Sequence, residues 1–599
     1  MGPKHSVLSH IDPATVSEQA RAESRNREVH LPPISTYRWW ARRTGAVTSA
    51  LLQGATKTLG RKMLTVGDPF AGGGVIPLIA LGQGHTMLAS DINPWAAHGL
   101  EATLKLPPPA AIAAAATRLT RRAAPLVAAA YGSGDSTIAH TLRVAVAPCT
   151  ACGIAARLFP FATVSLLKRR DRGGTAAWLA CPRGHLFQGS TAQQHTCPTC
   201  GIRTDPAAAY LPRRTISCPC GHQERLSRRG ALSWEIVLVE RTLGRKRTLG
   251  LPTAAERQQA RDDRWQPAYD LGTISPGPES SVLLRHGMRR WSDLYPARQR
   301  AVTESLLAML EDEPGPVRSA LRMAVLGTTE MAGHLSRWDR YYLKAYESMA
   351  SHRFNLTTLT VEPNVWGTAA AGRGTVIRRL RSLEKAARWL DEHAPRRSVS
   401  VARCDARAVS WAPGSVDLIL TDPPYHDDVR YAELSRPLRA WAGLSMSPLS
   451  GQATGGPSYT NTLTAIFTHL RRTLRDDGHL VFSFANRRPD VWVSLLGALH
   501  DAGFHAAGCA IVHSENELDG SKRSRRSCTL DLLLDLVLTP TQPSPLIPHL
   551  HTPEEDFLRA VGETMLRVGR LEDGWNSALI TRLSAMEFLR SERRKSGVK

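Results

Sequence analysis

Two stretches of this chain alternate short apolar runs with amphipathic ones in the rhythm of a parallel β/α layer, and about three hundred residues of another character separate them. In the first stretch, Lys62 to Pro69 reads as a buried strand ending in a glycine-rich turn. Val75 to Leu81 follows as a helix, and His85 to Ser90 as a second strand with an acid at its end. In the second stretch, strands are predicted at Ser398 to Arg403, Val416 to Leu420, His479 to Phe484, Gly508 to Ser514 and Leu530 to Leu538, with a helix from Tyr459 to Leu474. Neither stretch suffices alone, but together they supply about the seven strands of one doubly wound sheet. The predicted fold class is therefore α/β, a single doubly wound sheet interrupted by a large insertion.

The interruption has its own texture. Pro107 to about Tyr131 is rich in alanine and proline and reads as helical, Ala147 to Gln223 as a cysteine-histidine segment of short loops, and Ala254 to Pro278 as a polar linker. Helices are predicted at Trp291 to Asp312, Val317 to Met349 and Thr375 to His393. The implied organisation is a first half of the sheet domain in residues 1–135, a cysteine-rich insert in 145–225 and a linker with a helical insert in 226–395. The second half of the sheet domain takes 396–545 and a helical tail 546–599.

No apolar run reaches the ~18 residues of a membrane span, and no secretory leader is legible, so a cytoplasmic, reducing setting without membrane partners is expected. With Lys+Arg 76 against Asp+Glu 53, the formal charge of +23 favours a polyanionic partner.

Asp68-Pro69-Phe70-Ala71-Gly72-Gly73-Gly74 falls where a strand gives way to a helix, a place where glycines let backbone N–H groups approach a ligand. Asp91 ends the next strand about twenty residues on, the separation at which an acid accepts hydrogen bonds from a ribose diol. No Gly-Lys-Ser/Thr follows the glycines, which disfavours a phosphate-cradling loop.

Thr421-Asp422-Pro423-Pro424-Tyr425 comes directly after the apolar run Val416 to Leu420, at the carboxyl end of a strand where open α/β sheets bind ligands. The prolines forbid helix and remove two donors, leaving carbonyls as acceptors, while Asp422 adds a carboxylate and Tyr425 a π-face. Such a set suits an exocyclic amine on a planar base. The carboxylate and a carbonyl accept its N–H bonds, the lone pair faces an electrophile, and the tyrosine stacks. An ordinary turn is the bland alternative.

The glycine loop, Asp91 and Asp422 to Tyr425 together resemble the amino-methyltransferases that act on nucleic-acid bases. The fuller pattern is similar to the adenine-specific DNA methylases that contain a zinc ribbon. The resemblance extends to Arg38-Trp39-Trp40-Ala41-Arg42-Arg43, to Trp291-Ser292-Asp293-Leu294-Tyr295-Pro296-Ala297-Arg298-Gln299 and to Tyr431-Ala432-Glu433-Leu434-Ser435. It implies a Rossmann-like methyltransferase sheet with S-adenosylmethionine as cofactor and methyl transfer to adenine N6 in double-stranded DNA. By position, Phe70, Gly72 and Gly74 would line the donor pocket with Asp68 at its head, Asp91 would bind the ribose and Asp405 the adenine, and Asp422, Pro423, Pro424 and Tyr425 would form the catalytic turn. The departures are His426 in place of an aromatic, and Ser435-Arg436 where an acid is expected after the serine. An RNA base amino-methyltransferase (guanine N2 or adenine N6) and a catalytically idle nucleic-acid-binding subunit are the alternatives. Restriction or phage-defence partners are conceivable, but no residue demands one.

Seven of the ten cysteines fall between Cys149 and Cys220, in pairs at metal-knuckle spacing. Cys149-x2-Cys152, Cys181-x3-His185, Cys197-x2-Cys200 and Cys218-x-Cys220-x-His222 provide for two structural zinc ions. The run Cys181 to Cys200 resembles a self-contained zinc ribbon, which favours a nested arrangement with Cys149, Cys152, Cys218 and Cys220 on the other ion. Sequential pairing, and His222 in place of Cys220, stay open. Around these pairs Arg169, Arg170, Arg172, Arg213 and Arg214 either contact phosphate or form a charged surface. Lys522 to Arg526, between the last two strands, is a further phosphate candidate. The two tryptophans of Arg38 to Arg43 are expected in the core of a helical segment.

Overall fold

The computed structural model describes residues 6–590 except 27–29, 41, 219, 229–231, 396–397, 424–428, 450–451, 453–457, 515–527 and 547–548. Pro424, Tyr425, His426 and the Lys522 to Arg526 run therefore lie outside the described residues, as does the basic end of the chain. Two compact units are present: Met1–Leu106 with Lys385–Tyr431 and Ser447–Lys599, and Pro107–Glu384 with Ala432–Met446.

The first unit is built on seven strands: β1 (Thr65–Asp68), β2 (Thr86–Asp91), β3 (Val399–Arg403), β4 (Val416–Thr421), β5 (Leu474–Phe484), β6 (His505–His513) and β7 (Leu530–Val537). Their order in space is β3-β2-β1-β4-β5-β7-β6. The first five run parallel, and β7 lies antiparallel to both β5 and β6. Chain order reverses between β1 and β4, which makes the crevice beyond their carboxyl ends the topological switch point. Predominantly apolar sequences in β4 and β7, interrupted by Asp417, Asp531 and Asp535, follow from burial on both faces, since every residue of both strands is buried. Helices Tyr459–Thr473, Pro489–Asp501 and Pro553–Met565 supply Phe467, Trp492, Phe557 and Met565 to the same core as Phe482 and Phe484.

Strand β5 begins five residues before the predicted His479, and a register irregularity against β4 between Val416 and Leu418 absorbs its polar start. Residues 37–40 form no helix, contrary to expectation, but an irregular segment that leads into α2 (Gly45–Leu59). Its exposed N-terminal donors are met by the Glu23 carboxylate of α1 (Pro13–Arg25), which accepts from Gly45 N at 2.8 Å and Ala46 N at 2.9 Å.

The second unit contains a sheet that the sequence did not announce. Strands Ser136–Pro148 and Ser233–Leu243 pair antiparallel, and Leu359–Pro363 pairs along the other edge of the former. Its helix Pro109–Tyr131 belongs to this unit. The cysteine segment is not merely short loops, for Thr163–Leu166, Ala176–Ala180 and Leu186–Ser190 form a three-stranded sheet within it. The expected linker holds a helix, Ala254–Gln259, closed by a capping box of Thr253 and Glu256.

Of the helices predicted downstream, Val376–His393 forms, whereas the first is broken by Pro296 into the turn Trp291–Leu294 and the helix Ala297–Ala308. Val317 to Met349 is α-helical only as far as Gly327, ends in a short 3-10 turn Thr328–Glu330, and in its second half holds the hairpin Arg337–Asp339 with Lys344–Tyr346. The Trp and Tyr side chains there favour a pleated surface.

The Trp291 to Gln299 motif is core. Trp291 and Arg298 are fully buried, and Arg298 Nε bonds Glu362 Oε1 at 2.8 Å while its guanidinium lies 4.9 Å from the Tyr131 ring centre. Arg143 reaches the other Glu362 oxygen at 2.7 Å. Burial pushes the Glu362 carboxyl up, but the two guanidinium charges outweigh it and hold it at about 2. Among the described residues, no helix is long and apolar enough to cross a membrane.

Candidate active site and metal centres

Parallel strands deliver their carboxyl ends to one edge, and four acids stand there on adjacent strands. Asp405 follows β3, Asp91 ends β2, Asp68 ends β1 and Asp422 follows β4. Three interstrand spacings of ~4.8 Å make this row about 14 Å long, enough for a nucleoside carrying an amino-acid chain.

Asp68 and the β4 end are joined across the switch point: Asp68 Oδ1 accepts from Thr421 Oγ1 at 2.7 Å and from Phe70 N at 3.1 Å. Burial, reinforced by the charges of Asp91 and Asp422, raises Asp68 to about 7 against those hydrogen bonds. Asp91 accepts from Gly72 N at 2.9 Å on one oxygen and from Asn93 N at 2.7 Å on the other. Burial lifts it to about 6 against these bonds. Each Asp91 oxygen keeps a lone pair, so the acid still suits a ribose diol. Asp405 caps the turn Ala406–Ala408 and pairs with Arg407 at 2.6 Å; burial pushes its carboxyl up, but the Arg407 bonds prevail and hold it below its ordinary value.

The glycine loop differs from expectation. Its N–H groups are not all presented to a ligand, since Gly72 N is spent on Asp91 and Gly74 N on Ala71 O at 2.7 Å. The space vacated by the missing side chains is taken by protein: a Cβ at Gly72 would lie 2.7 Å from Trp39 Nε1, and one at Gly74 2.8 Å from Leu100 Cδ1. Tyr37 donates its hydroxyl to Gly72 O at 2.6 Å, and Trp39 stacks on Tyr431 with ring centres 4.9 Å apart. Trp40 is core as expected, but Trp39 covers the loop. Phe70, beside it, is half-buried.

Asp422 carries an unforeseen partner. Arg43 grips it with two bonds, Nε to Oδ2 at 2.8 Å and Nη2 to Oδ1 at 3.1 Å, and its Nη1 reaches Asp531 Oδ2 at 2.8 Å. Asp531 is the second residue of β7, and because β7 runs antiparallel to β5 its start lies at the same sheet edge, with Leu532 opposite Phe484. Burial raises Asp422 to about 6; Arg43 pulls it down and Asp531 pushes it up. The sequence did hold a signal for this ion triad, namely the acids at 531 and 535 in a strand of otherwise apolar residues, each of which needs a polar or charged partner once buried; Asp535 finds His479 at 2.7 Å and Asp531 finds Arg43. Pro423 is buried beside Asp422, whereas Pro424 and Tyr425 fall outside the described residues.

In the second unit the cysteine pairs assemble into two groups, Cys149, Cys152, Cys218 and Cys220, and Cys181, His185, Cys197 and Cys200, with ligand atoms within 4.8 Å of one another. This is the nested arrangement. The Cys149–Cys220 and Cys152–Cys218 sulfurs are 3.8 and 3.6 Å apart, close to the ~3.8 Å edge of a tetrahedron with metal–sulfur bonds of ~2.3 Å. His222 stands outside, with Nε2 3.1 Å from Thr150 Oγ1. Both groups could hold a metal ion.

No family model and no curated protein matches the chain. Among solved structures, geranyl diphosphate C-methyltransferase from Streptomyces coelicolor A3(2), with Mg2+, geranyl diphosphate and S-adenosyl-L-homocysteine, is similar at 14% identity and a TM-score of 0.15 over 29% of this chain and 62% of that one. Geranyl diphosphate methyltransferase with GPP and sinefungin gives 14% identity and a TM-score of 0.15 over 29% of this chain and 60% of that one. The chain thus matches less than two thirds of those proteins' length, and similarity this slight bears on neither chemistry nor substrate.

Proposed function

We propose that the first unit is an S-adenosylmethionine-dependent methyltransferase that modifies the exocyclic N6 of a flipped adenine in DNA. The observation that carries this reading is the placement of Asp422 at the switch point, beside Asp68 and in line with Asp91 and Asp405 along one sheet edge. Asp91, with its spare lone pairs, would hold the ribose, Asp405 the donor's adenine ring, and Phe70 would flank the pocket. When bound, the donor supplies an electrophilic methyl group.

Asp422 then acts as acceptor. Held by Arg43 through both oxygens, the carboxylate is oriented to accept an N–H of the target amine and fix the nitrogen lone pair toward the methyl. The transferred group adds positive charge to nitrogen, which the carboxylate stabilises before the excess proton leaves. Positioning and electrostatics, not a strong base, do the work. The adenine, the DNA and the Tyr425 stack come from the sequence resemblance. Zinc on both cysteine groups, as structural ions with complete ligand sets, is part of the same reading.

The test is transfer of tritiated methyl from labelled donor to duplex DNA and to RNA, with nucleoside analysis of the product. Label in N6-methyladenine of DNA is expected, and Asp422→Ala should abolish it while largely sparing donor affinity. Label in RNA alone would move the substrate. Label in neither, with donor binding intact, would overturn the reading.

A further inference from the structure

The second unit carries a shelf of cations laid on aromatic rings, which none of the chemistry above uses. In the hairpin Arg337–Asp339 with Lys344–Tyr346, Trp338 and Ala345 turn into the core, so period-2 alternation puts Arg337, Lys344 and Tyr346 on the outer face. The loop after Thr163–Leu166 is laced to this hairpin by Leu166 N to Arg340 O and Arg170 N to Tyr341 O, both 2.9 Å. Along the shelf, the Arg340 guanidinium lies 3.7 Å from the centre of the Phe161 ring and 4.8 Å from that of Tyr341, and Arg170 lies 5.1 Å from Tyr341. Lys344 sits 5.1 Å from the Tyr346 ring centre and Arg337 5.9 Å from it. Phe161 and Tyr342 are exposed, at 39% and 43%.

Two features separate this shelf from an ordinary charged surface. Among the described residues, no carboxylate lies within ion-pair distance of Arg170, Arg337, Arg340 or Lys344. The nearby acids are engaged elsewhere: Asp171 with Arg169, Glu347 with Arg373, and Asp339 with the N–H groups of Tyr341 and Tyr342. Arg340 Nε is moreover buried without a hydrogen-bond partner. A guanidinium resting on an aromatic ring is weakly hydrated and partly pre-oriented, so it loses little on taking a phosphate oxygen.

We infer that this shelf grips the phosphate backbone of duplex DNA. Resting on the DNA-methylating reading above, it assigns that substrate a docking surface apart from the row of acids. The cations occupy ring faces on which unpaired bases would stack, so the shelf fits a duplex, whose phosphates lie outermost, better than a single strand.

The experiment measures binding of the full chain to a fluorescently labelled duplex DNA across a salt series, without methyl donor. It compares wild type with the quadruple variant Arg170→Gln, Arg337→Gln, Arg340→Gln, Lys344→Gln. Each phosphate contact contributes about 0.9 to the slope of log affinity against log salt, so the quadruple variant should lose roughly three to four units of slope and bind at least ten-fold more weakly. Should it fail to keep its metal content and melting temperature, Arg337→Gln and Lys344→Gln are tested singly, each expected to lose about one unit. Unchanged slopes in folded variants overturn the shelf and leave the methyltransferase reading standing. A loss confined to single-stranded DNA or RNA duplex probes overturns it too. Tritium transfer by the wild type, run separately, tests the reading on which it rests.

Discussion

Replacing Arg43 by methionine removes the cation that grips Asp422 through two bonds while keeping much of the side-chain volume. The fork is largely withdrawn from water, with side-chain exposures of 10% for Arg43 and 22% for Asp422. A charge-assisted pair of hydrogen bonds in such a place contributes about 1.5–3 kcal/mol, and ~1.4 kcal/mol corresponds to one pKa unit, so Asp422 should rise by roughly one to two units. Under the methyl-transfer reading the carboxylate is the active form, and its fraction grows with pH. Wild-type turnover should therefore rise through an acid limb near about 6, where Asp422 titrates. In Arg43→Met the limb should move to ~7–8.

Asp531→Asn should act oppositely, because it deletes a negative charge that raises Asp422. Breaking the buried pair also leaves Asp531 without its cation, a loss on the order of 3–5 kcal/mol, so Arg43→Met is best read beside the double variant with Asp531→Asn. The assay is single-turnover methyl transfer from pH 5 to 9 (about the range in which these limbs fall) with melting curves on each protein. A folded Arg43→Met enzyme whose limb stays in place or moves toward acid would refute the assigned pairing.

Chelation should release close to two zinc ions per chain and expose residues 149–220 to protease, followed by metal analysis and limited digestion; absence of metal in the purified protein would remove the ribbons. Gly72→Ala combines φ of +41° with a Cβ 2.7 Å from Trp39 Nε1, and should cost about 1–3 kcal/mol in urea unfolding, part of it recovered by adding Trp39→Ala. Glu362→Gln strands two buried guanidinium groups and should cost roughly 3–5 kcal/mol. Because the Glu362 carboxyl is held down from 4.5 to about 2, its contribution is fully present above 4.5 and fades as pH falls toward 2, so wild type and variant should converge in acid; parallel curves across that window would contradict the assignment.

Strands buried on both faces announce themselves as continuous apolar runs, and the acid or turn that follows each run marks the sheet edge where ligands bind. That is why Asp68, Asp91 and Asp422 could be placed at strand ends before the sheet order was known, whereas Asp405 entered only through the family resemblance. The sheet of the second unit escaped because Ser136–Pro148 mixes Thr, His and Arg into a strand whose polar side chains are buried through partners: His140 on Glu240 at 2.6 Å, Arg143 on Glu362 at 2.7 Å. Such polarity reads as loop until its partners are known.

Cysteine spacing is local, so the sequence determined the knuckle pairs and the number of four-ligand groups they can make. Which pairs meet is a long-range matter. The antiparallel ladder that sets Val146 opposite Ser233 closes the loop between them, bringing Cys149 and Cys152 to Cys218 and Cys220 and leaving the inner pairs to each other. The same division holds at the acid row. Strand periodicity placed Asp422 after its strand, whereas the grip of Arg43 joins residues 379 positions apart, and Asp531 reaches them only because β7 reverses direction. An ion pair leaves no periodic trace in sequence; packing alone decides which buried charge finds which.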